Sequence, residues 1–147
     1  MNEKRKNLEG TLKILKESQK EIQKYEVVID KNKFIVYPNV FSPKYFNDTE
    51  FFAKEIPIKK GDEFLEIGCG TGIISVFACW KGAKNVVAVD INPSAVKNTK
   101  DNAKLHNLGN KINAVQGDIF NSLKDEKFDV IFWNVPFAFT KNRNPSL

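Results

Sequence analysis

The chain has little of what builds metal centres or covalent frameworks: two cysteines, Cys69 and Cys79, and a single histidine, His106, in 147 residues. The cysteines have neither disulfide-framework nor metal-ligand spacing and read as small buried thiols, so no metal is expected. His106 stands at the end of a helical pattern just before Leu108-Gly109, where a helix-terminal imidazole is the simplest reading. Long apolar runs are also missing. None approaches the roughly 20 residues that cross a bilayer, and the opening MNEKRKNLEG is too polar for a signal peptide, so a cytoplasmic protein away from membranes is expected. No repeat or low-complexity segment appears. Neither sign of charge dominates: 23 Lys and Arg against 18 Asp and Glu leave +5, and the lysines are scattered, which favours solvated faces over a continuous basic stripe. Glycine is scarce as well. Of only 8, three fall at 68, 70 and 72.

With 41% hydrophobic and 28% charged residues, the chain carries enough apolar content for one globular core. Residues 3–24 place Leu8, Leu12, Leu15 and Ile22 on one stripe between Lys and Glu, which predicts an amphipathic helix. YEVVIDKNKFIVYP alternates around Lys31-Asn32 and predicts a hairpin, closed off by Pro38 and Pro43. NDTEFFAKEI predicts a helix opened by Asn47 or Asp48. From Lys60 the pattern becomes strand, helix, strand, helix: EFLEIG, GIISVFACWKG, NVVAVDI, PSAVKNTKDNAKLHNLG, INAVQGD and, after a short loop, FDVIFWNVPF. Apolar β-branched strands alternating with helices imply an α/β fold with a parallel sheet covered on both faces.

In that context the three glycines follow a strand and open a helix, at the carboxyl edge of a parallel sheet where α/β proteins bind ligands. Glycine permits positive φ and lets a ligand approach the backbone without meeting a Cβ. The spacing separates two cofactor classes. A dinucleotide loop needs G-x-G-x-x-G, with a pyrophosphate on the helix N-terminus. Here Ile73 stands where the third glycine of that pattern falls, and Glu66 precedes the loop. A carboxylate there repels a pyrophosphate but can pair with the cationic end of S-adenosylmethionine.

LEIGCGTG resembles motif I of the class I S-adenosylmethionine-dependent methyltransferases, with Glu66, Gly68, Cys69, Gly70, Thr71 and Gly72 as its cofactor-facing positions. VVAVDINPSAV is similar to the family's second motif. The resemblance implies that Asp90, ending its strand, holds both ribose hydroxyls with Ile91 beside it. Asn92 and Ser94 are better placed than Asp90 to cap the next helix. QGDIF resembles the third motif, which implies Asp118 facing the adenine amino group and Ile119 packing near the ring. The last strand ends in NVPF, Asn134, Val135, Pro136 and Phe137, which resembles the N-P-P-Y-type motif of methyltransferases acting on planar amino groups of adenine, guanine or glutamine. In that family the Asn side-chain oxygen and the next main-chain carbonyl accept the two amino hydrogens while the aromatic ring stacks on the acceptor. Val135 departs from the usual proline; because the acceptor there is a main-chain carbonyl, the chemistry survives, and Pro136 keeps Val135 extended. Among the aromatic residues Phe132, Trp133, Phe137 and Phe139, Trp133 reads as strand packing rather than a stacking platform.

FIVYPNVFSPKYFNDTEFFAKEI is similar to the segment before motif I in the glutamine N5-methyltransferases of release factors and related ribosomal-RNA guanine methyltransferases, where a hairpin and a proline-containing loop cover the cofactor. Val40, Phe41 and Pro43 fall there. The resemblance implies a Rossmann-like class I sheet with residues 1–59 as an N-terminal helix and hairpin on the substrate side and 60–147 as the S-adenosylmethionine-binding domain. The expected activity is methyl transfer to a planar nitrogen, either a protein glutamine or an exocyclic amino group of an RNA or DNA base. The alternative is a catalytically silent S-adenosylmethionine-binding scaffold. The partner is a release-factor-like protein or RNA, with the oligomeric state open. The family's sheet has seven strands and the pattern here shows four parallel ones, so a domain truncated at its C-terminus is expected, in preference to cover of the fourth strand's edge by another chain or by the hairpin.

Overall fold

The structure is a computed structural model that describes residues 20–46, 48–119, 121–123 and 125–134, together with positions 9, 10, 13, 14, 16 and 17. Those six positions are helical, whereas residues 21–24 are not, and Ile22 is 84% exposed. The helix expected over 3–24 therefore stops earlier. A turn at Lys20 and irregular backbone up to the first strand replace its last turn, so Ile22 joins no helical face. Leu8, Leu12 and Leu15 lie outside the described residues.

Strands β1 (Tyr25–Ile29) and β2 (Asn32–Val36) form an antiparallel hairpin, with Ile29 opposite Asn32. Its turn is Asp30-Lys31, one residue earlier than the alternation suggests; both have positive φ, 45° and 65°, as the two-residue turn matching strand twist requires. The Asn32 side chain donates to the Asp30 carbonyl at 2.8 Å and steadies that backbone. Helix α1 (Asp48–Glu55) follows, and Asn47 lies outside the described residues.

The remainder alternates as the sequence predicts: β3 (Glu63–Ile67), α2 (Ile73–Lys81), β4 (Asn85–Asp90), α3 (Pro93–Leu105), β5 (Ile112–Gln116) and β6 (Val130–Trp133). The four strands are parallel in the order β5-β4-β3-β6. The connections step outward from β3 to β5 and then return to β6 on the other side of β3, so the topological switch lies between β3 and β6, the position where open α/β sheets bind ligands. One face of the sheet, with Phe64, Val86, Ala88, Ile112 and Ala114, packs under α2, α3 and α1 residues such as Ile73, Phe77, Val96 and Ala53. The opposite face, Leu65, Ile67 and Val89, is covered among the described residues by the loop side chains Ile119, Leu123 and Phe128 rather than by a helix. The hairpin pairs with no strand of the larger sheet and so does not cover the β6 edge; Phe34 instead joins the helix-side core. No described helix is long and apolar enough to cross a membrane.

The C-terminus of α2 is closed by Gly82 at φ 112°, whose amide bonds the Cys79 carbonyl. The α3 N-terminus is capped by Asn92, accepting from the Ser94 amide at 2.9 Å with Pro93 in the first turn, as its composition predicts. His106 ends α3. Its ring packs 4.6 Å from Phe34 and 5.1 Å from Trp80, with Nε2 3.0 Å from the Lys33 carbonyl, and burial lowers its pKa.

Candidate cofactor and acceptor site

The β3–α2 turn is held by its own backbone. The amides of Gly68 and Cys69 donate to the Val89 carbonyl at 2.8 and 3.1 Å, and the Gly72 amide donates to Cys69 at 2.7 Å. Gly68, Gly70 and Gly72 all have positive φ (73°, 54° and 76°), but their surroundings differ. A Cβ on Gly72 would stand 2.7 Å from Thr99 Cγ2, so that glycine is demanded by helix packing. A Cβ on Gly68 would meet nothing within 4 Å, and one on Gly70 only Val40 Cγ1 at 4.0 Å. Two bare backbone positions thus face open space at the carboxyl edge of the sheet, a cradle that side chains would fill.

Asp90 ends β4 beside that space. Its Oδ2 accepts from the Gly70 amide at 2.9 Å and its Oδ1 from the Asn92 amide at 2.9 Å, while the Asp90 carbonyl accepts from Gly117 at 3.0 Å. Each carboxylate oxygen retains a further acceptor lone pair. Glu66, only 3% exposed, lies beneath the loop; its Oε2 accepts from the Ser75 amide at 3.0 Å and hydroxyl at 2.5 Å. Burial pushes its carboxyl up to about 8, opposed by the Ser75 hydrogen bonds and reinforced by the Asp90 charge. The Cys69 thiol is buried and points to Thr99 Oγ1, 3.2 Å away, and burial raises its pKa far above the ordinary thiol range. Thr71 is buried, its carbonyl taken by Asn102. Cys79 is a buried free thiol as well, pushed up to about 11 by burial.

Ile91 is 69% exposed next to Asp90. Asp118 is exposed in the bend after β5, its carbonyl accepting from Asn121 at 3.0 Å. Ile119 has φ 46°, a costly conformation for a β-branched residue, and packs on the Leu65 face. At the far side, β6 pairs with β3 so that Ile67 opposes Trp133. One step beyond that pair stand Gly68 and Asn134, which puts the glycine loop and Asn134 at the same edge. Asn134 is exposed and its Nδ2 donates to Asp48 Oδ2 at 3.2 Å. Val135, Pro136 and Phe137 lie outside the described residues. Trp133 is 46% exposed and Ile131 54%, so Trp133 is not the fully packed residue its strand suggested: the register sets both on the face of Leu65 and Ile67, whose described loop cover leaves them about half open.

Three residues were not singled out from the sequence. Asn98, Thr99 and Asn102 form a fully buried polar row on α3. Asn98 and Asn102 bond the β2 backbone at Ile35 and Tyr37, and Thr99 and Asn102 bond the glycine-loop carbonyls of Gly70 and Thr71. The signal is present, since polar residues four apart fall on the same helix face as Ala95 and Ala103, but charge and amide content alone do not separate such a row from a solvated face. The loop after β2 is drawn in as well. Asn92 Nδ2 donates to the Asn39 carbonyl at 2.9 Å, and Val40 is buried over Gly70.

Comparison with known proteins follows this geometry. A Methanocaldococcus jannaschii protein bearing the provisional name protein N5-glutamine methyltransferase is 41% identical over 114 residues, which cover 78% of this chain and 55% of that protein. Among solved structures, an M. jannaschii tRNA methyltransferase aligns with a TM-score of 0.65 and 27% identity over 80% of this chain and 36% of its own. The Trypanosoma brucei PRMT1 enzyme–prozyme complex with AdoHcy aligns with a TM-score of 0.51 and 30% identity over 59% of this chain and 26% of its own. This chain therefore spans about half the length of the M. jannaschii glutamine relative and less of the solved ones. The methyltransferase small domain family matches residues 31–147, and the chain belongs to that family.

Proposed function

We propose that this chain binds S-adenosylmethionine over the glycine loop and transfers its methyl group to a planar nitrogen, with the side-chain amide of a protein glutamine as the favoured acceptor. The observation that carries this reading is the register of β6 on β3, by which Gly68 and Asn134 follow directly on a facing pair. A donor lying on Gly68 and Gly70 and an acceptor held by Asn134 then meet at one edge.

The residues fit such a donor. Gly68 and Gly70 offer backbone without side chains, and Asp90 offers two carboxylate lone pairs to a vicinal diol, the strongest neutral-donor arrangement available at that edge. Exposed Ile91 and the partly buried Ile119 supply apolar surface for a flat ring, and Asp118 an acceptor for its amino group. Glu66 supports the inner end through Ser75. Cys69 and Thr71 contribute backbone, since their side chains are buried. When bound, the cofactor supplies an electrophilic methyl group on a sulfonium. On the acceptor side, Asn134 Oδ1 and the Val135 carbonyl take the two amino hydrogens, and Phe137 gives the acceptor plane a stacking surface behind Pro136. An amide nitrogen has its lone pair delocalised, so two fixed acceptors that favour pyramidalisation do more than a strong base would. In this reading residues 60–147 hold the cofactor and the segment within 1–59 that carries Val40, Phe41 and Pro43 closes over it. The name of the M. jannaschii relative supports glutamine over a nucleobase.

The test uses the chain with radiolabelled methyl donor against glutamine-bearing release-factor peptides, ribosomal RNA and DNA. Asn134→Ala is expected to cut turnover about a hundredfold, the scale for losing one positioned polar group, with cofactor affinity unchanged. Normal cofactor binding with incorporation into none of the three would overturn transfer in favour of a silent binder, and wild-type turnover in Asn134→Ala would remove the amino-group mechanism.

A further inference from the structure

Asn134 is useful as an acceptor only if its amide faces the right way. A primary amide has nearly the same shape when turned over, but the flipped form presents N–H donors to the incoming amino group, which repel it. On an exposed edge such as this one, little in the packing would choose between the two. The choice is made by Asp48. Its carboxylate Oδ2 lies 3.2 Å from Asn134 Nδ2. An ionised carboxylate can only accept, so it binds the nitrogen end of the amide and leaves Oδ1 turned away from it. We infer that Asp48 is the positioning residue that fixes the Asn134 amide with its oxygen free for the acceptor, an inference that rests on the reading of Asn134 given above.

Asp48 is itself held in place. It is the first residue of α1, a helix of eight residues, and α1 is fastened to the strand that carries Asn134 by Phe52, whose ring meets Phe132 edge-on at 5.5 Å. From the other end Lys81 Nζ reaches the Ile56 carbonyl at 3.2 Å and that of Lys54, anchoring the last turn of α1 to α2. Two residues two positions apart, Phe132 on β6 and Asn134 just after it, are thus both fitted to α1, one by its ring and the other by its amide. The hydrogen bond is exposed and long, so it contributes little to folding. Its consequence is the orientation of one amide, a matter of rate.

In the full chain, Asp48→Ala is expected to lower kcat toward a glutamine-bearing release-factor peptide by about tenfold, a small misplacement at the reacting centre, while cofactor affinity and Tm stay at wild-type values. Asp48→Asn, which keeps an acceptor for Nδ2, is expected to recover most of that loss. The double variant Asp48→Ala with Asn134→Ala is expected to be no slower than Asn134→Ala alone, because Asp48 acts through Asn134. Wild-type kcat in Asp48→Ala, or losses that multiply in the double variant, would overturn the inference while leaving the reading of Asn134 intact; wild-type kcat in Asn134→Ala would strike that reading instead. A readout independent of turnover is the pair of Asn134 side-chain amide protons by 15N NMR. They are expected to lie well apart in the wild type and to draw together in Asp48→Ala, and identical spectra would also overturn the inference.

Discussion

The two ends of the proposed site are built in opposite ways. On the β3–β4 side, Glu66, Thr71, Thr99 and Asn102 are buried, and the glycine loop is bonded to strand β4, to helix α3 and through α3 to the hairpin. On the β6 side, the outermost of the four described strands leaves Ile131 and Trp133 about half exposed and is followed by an exposed Asn134 with one described side-chain partner. The cofactor end is therefore a property of the core and should fail together with it. The acceptor end is a surface feature, and should be alterable at little cost to folding. Substitutions that separate binding from stability at the loop, and those that couple them, test this division.

The largest effect is expected at the loop's third glycine. Gly72→Val drives a side chain into Thr99, which a Cβ alone would approach to 2.7 Å, and forces a β-branched residue to φ 76°. Overpacking and the left-handed backbone together should cost about 4 kcal/mol, lowering Tm and cofactor binding together. At Gly70 an added Cβ makes only an ordinary contact with Val40 Cγ1, at 4.0 Å, so Gly70→Val should cost about 1–2 kcal/mol from its backbone angle while abolishing binding of S-adenosylmethionine. Denaturant unfolding and calorimetry on both variants give the comparison; equal losses of stability would mean that the space over Gly70 is not what the glycine preserves.

Next in size is the polar row. Asn102 accepts from the Ile35 amide and donates to the Ile35 and Thr71 carbonyls, all at 2.8 Å, with no exposure to water. Asn102→Ala takes this partner from the Ile35 amide and the Thr71 carbonyl, while the Ile35 carbonyl keeps Asn98 Nδ2, at about 2–3 kcal/mol. Because one side chain serves both β2 and the glycine loop, cofactor affinity should fall along with stability. Asn102→Ala with full affinity and reduced Tm would show that the hairpin and loop are independent, and would confine the core-built character to the loop itself.

How much of this was legible in the sequence follows the same division. The strands β3, β4 and β5 and helices α2 and α3 are local: apolar β-branched runs, a glycine turn and the Asn92 cap announce them, all within a residue or two except the end of α3, which falls at Leu105, four residues before Gly109. The family resemblance around Gly68, Gly70 and Asp90 is likewise carried by contiguous residues. What was not legible depends on contacts far apart along the chain. The row of Asn98, Thr99 and Asn102 looks like any polar stretch until β2 is laid against it, and Asp48 reads only as a helix opener until Asn134, just after β6, comes beside α1. Trp133 was misread because whether a strand residue is core depends on what covers the strand, and β6 is the outermost of the described strands. The N-terminal helix was overextended because a heptad stripe of leucines continues in the pattern whether or not a partner surface exists for Ile22.

The last expected effect is a slope with pH, small over any one pH unit. Glu66 keeps its proton in the folded protein up to about pH 8, because burial outweighs the Ser75 hydrogen bonds, whereas in the unfolded chain it ionises near the ordinary carboxylate value of about 4.3. Between those limits the folded state holds more protons than the unfolded one, so this contribution is fully present below the ordinary value and is lost as pH rises toward 8. The slope is at most about 1.4 kcal/mol per pH unit for one proton. Glu66→Gln has no proton to lose and keeps an acceptor for Ser75, so its stability should be flatter between pH 5 and 8, converging with or exceeding the wild type at the upper end. Trp133→Phe, at the exposed edge, should keep the wild-type slope. Urea midpoints across that range decide the matter. The same slope in Glu66→Gln would mean that Glu66 is ionised in the folded loop, and a flattened slope in Trp133→Phe would mean that the two ends of the site are electrostatically one.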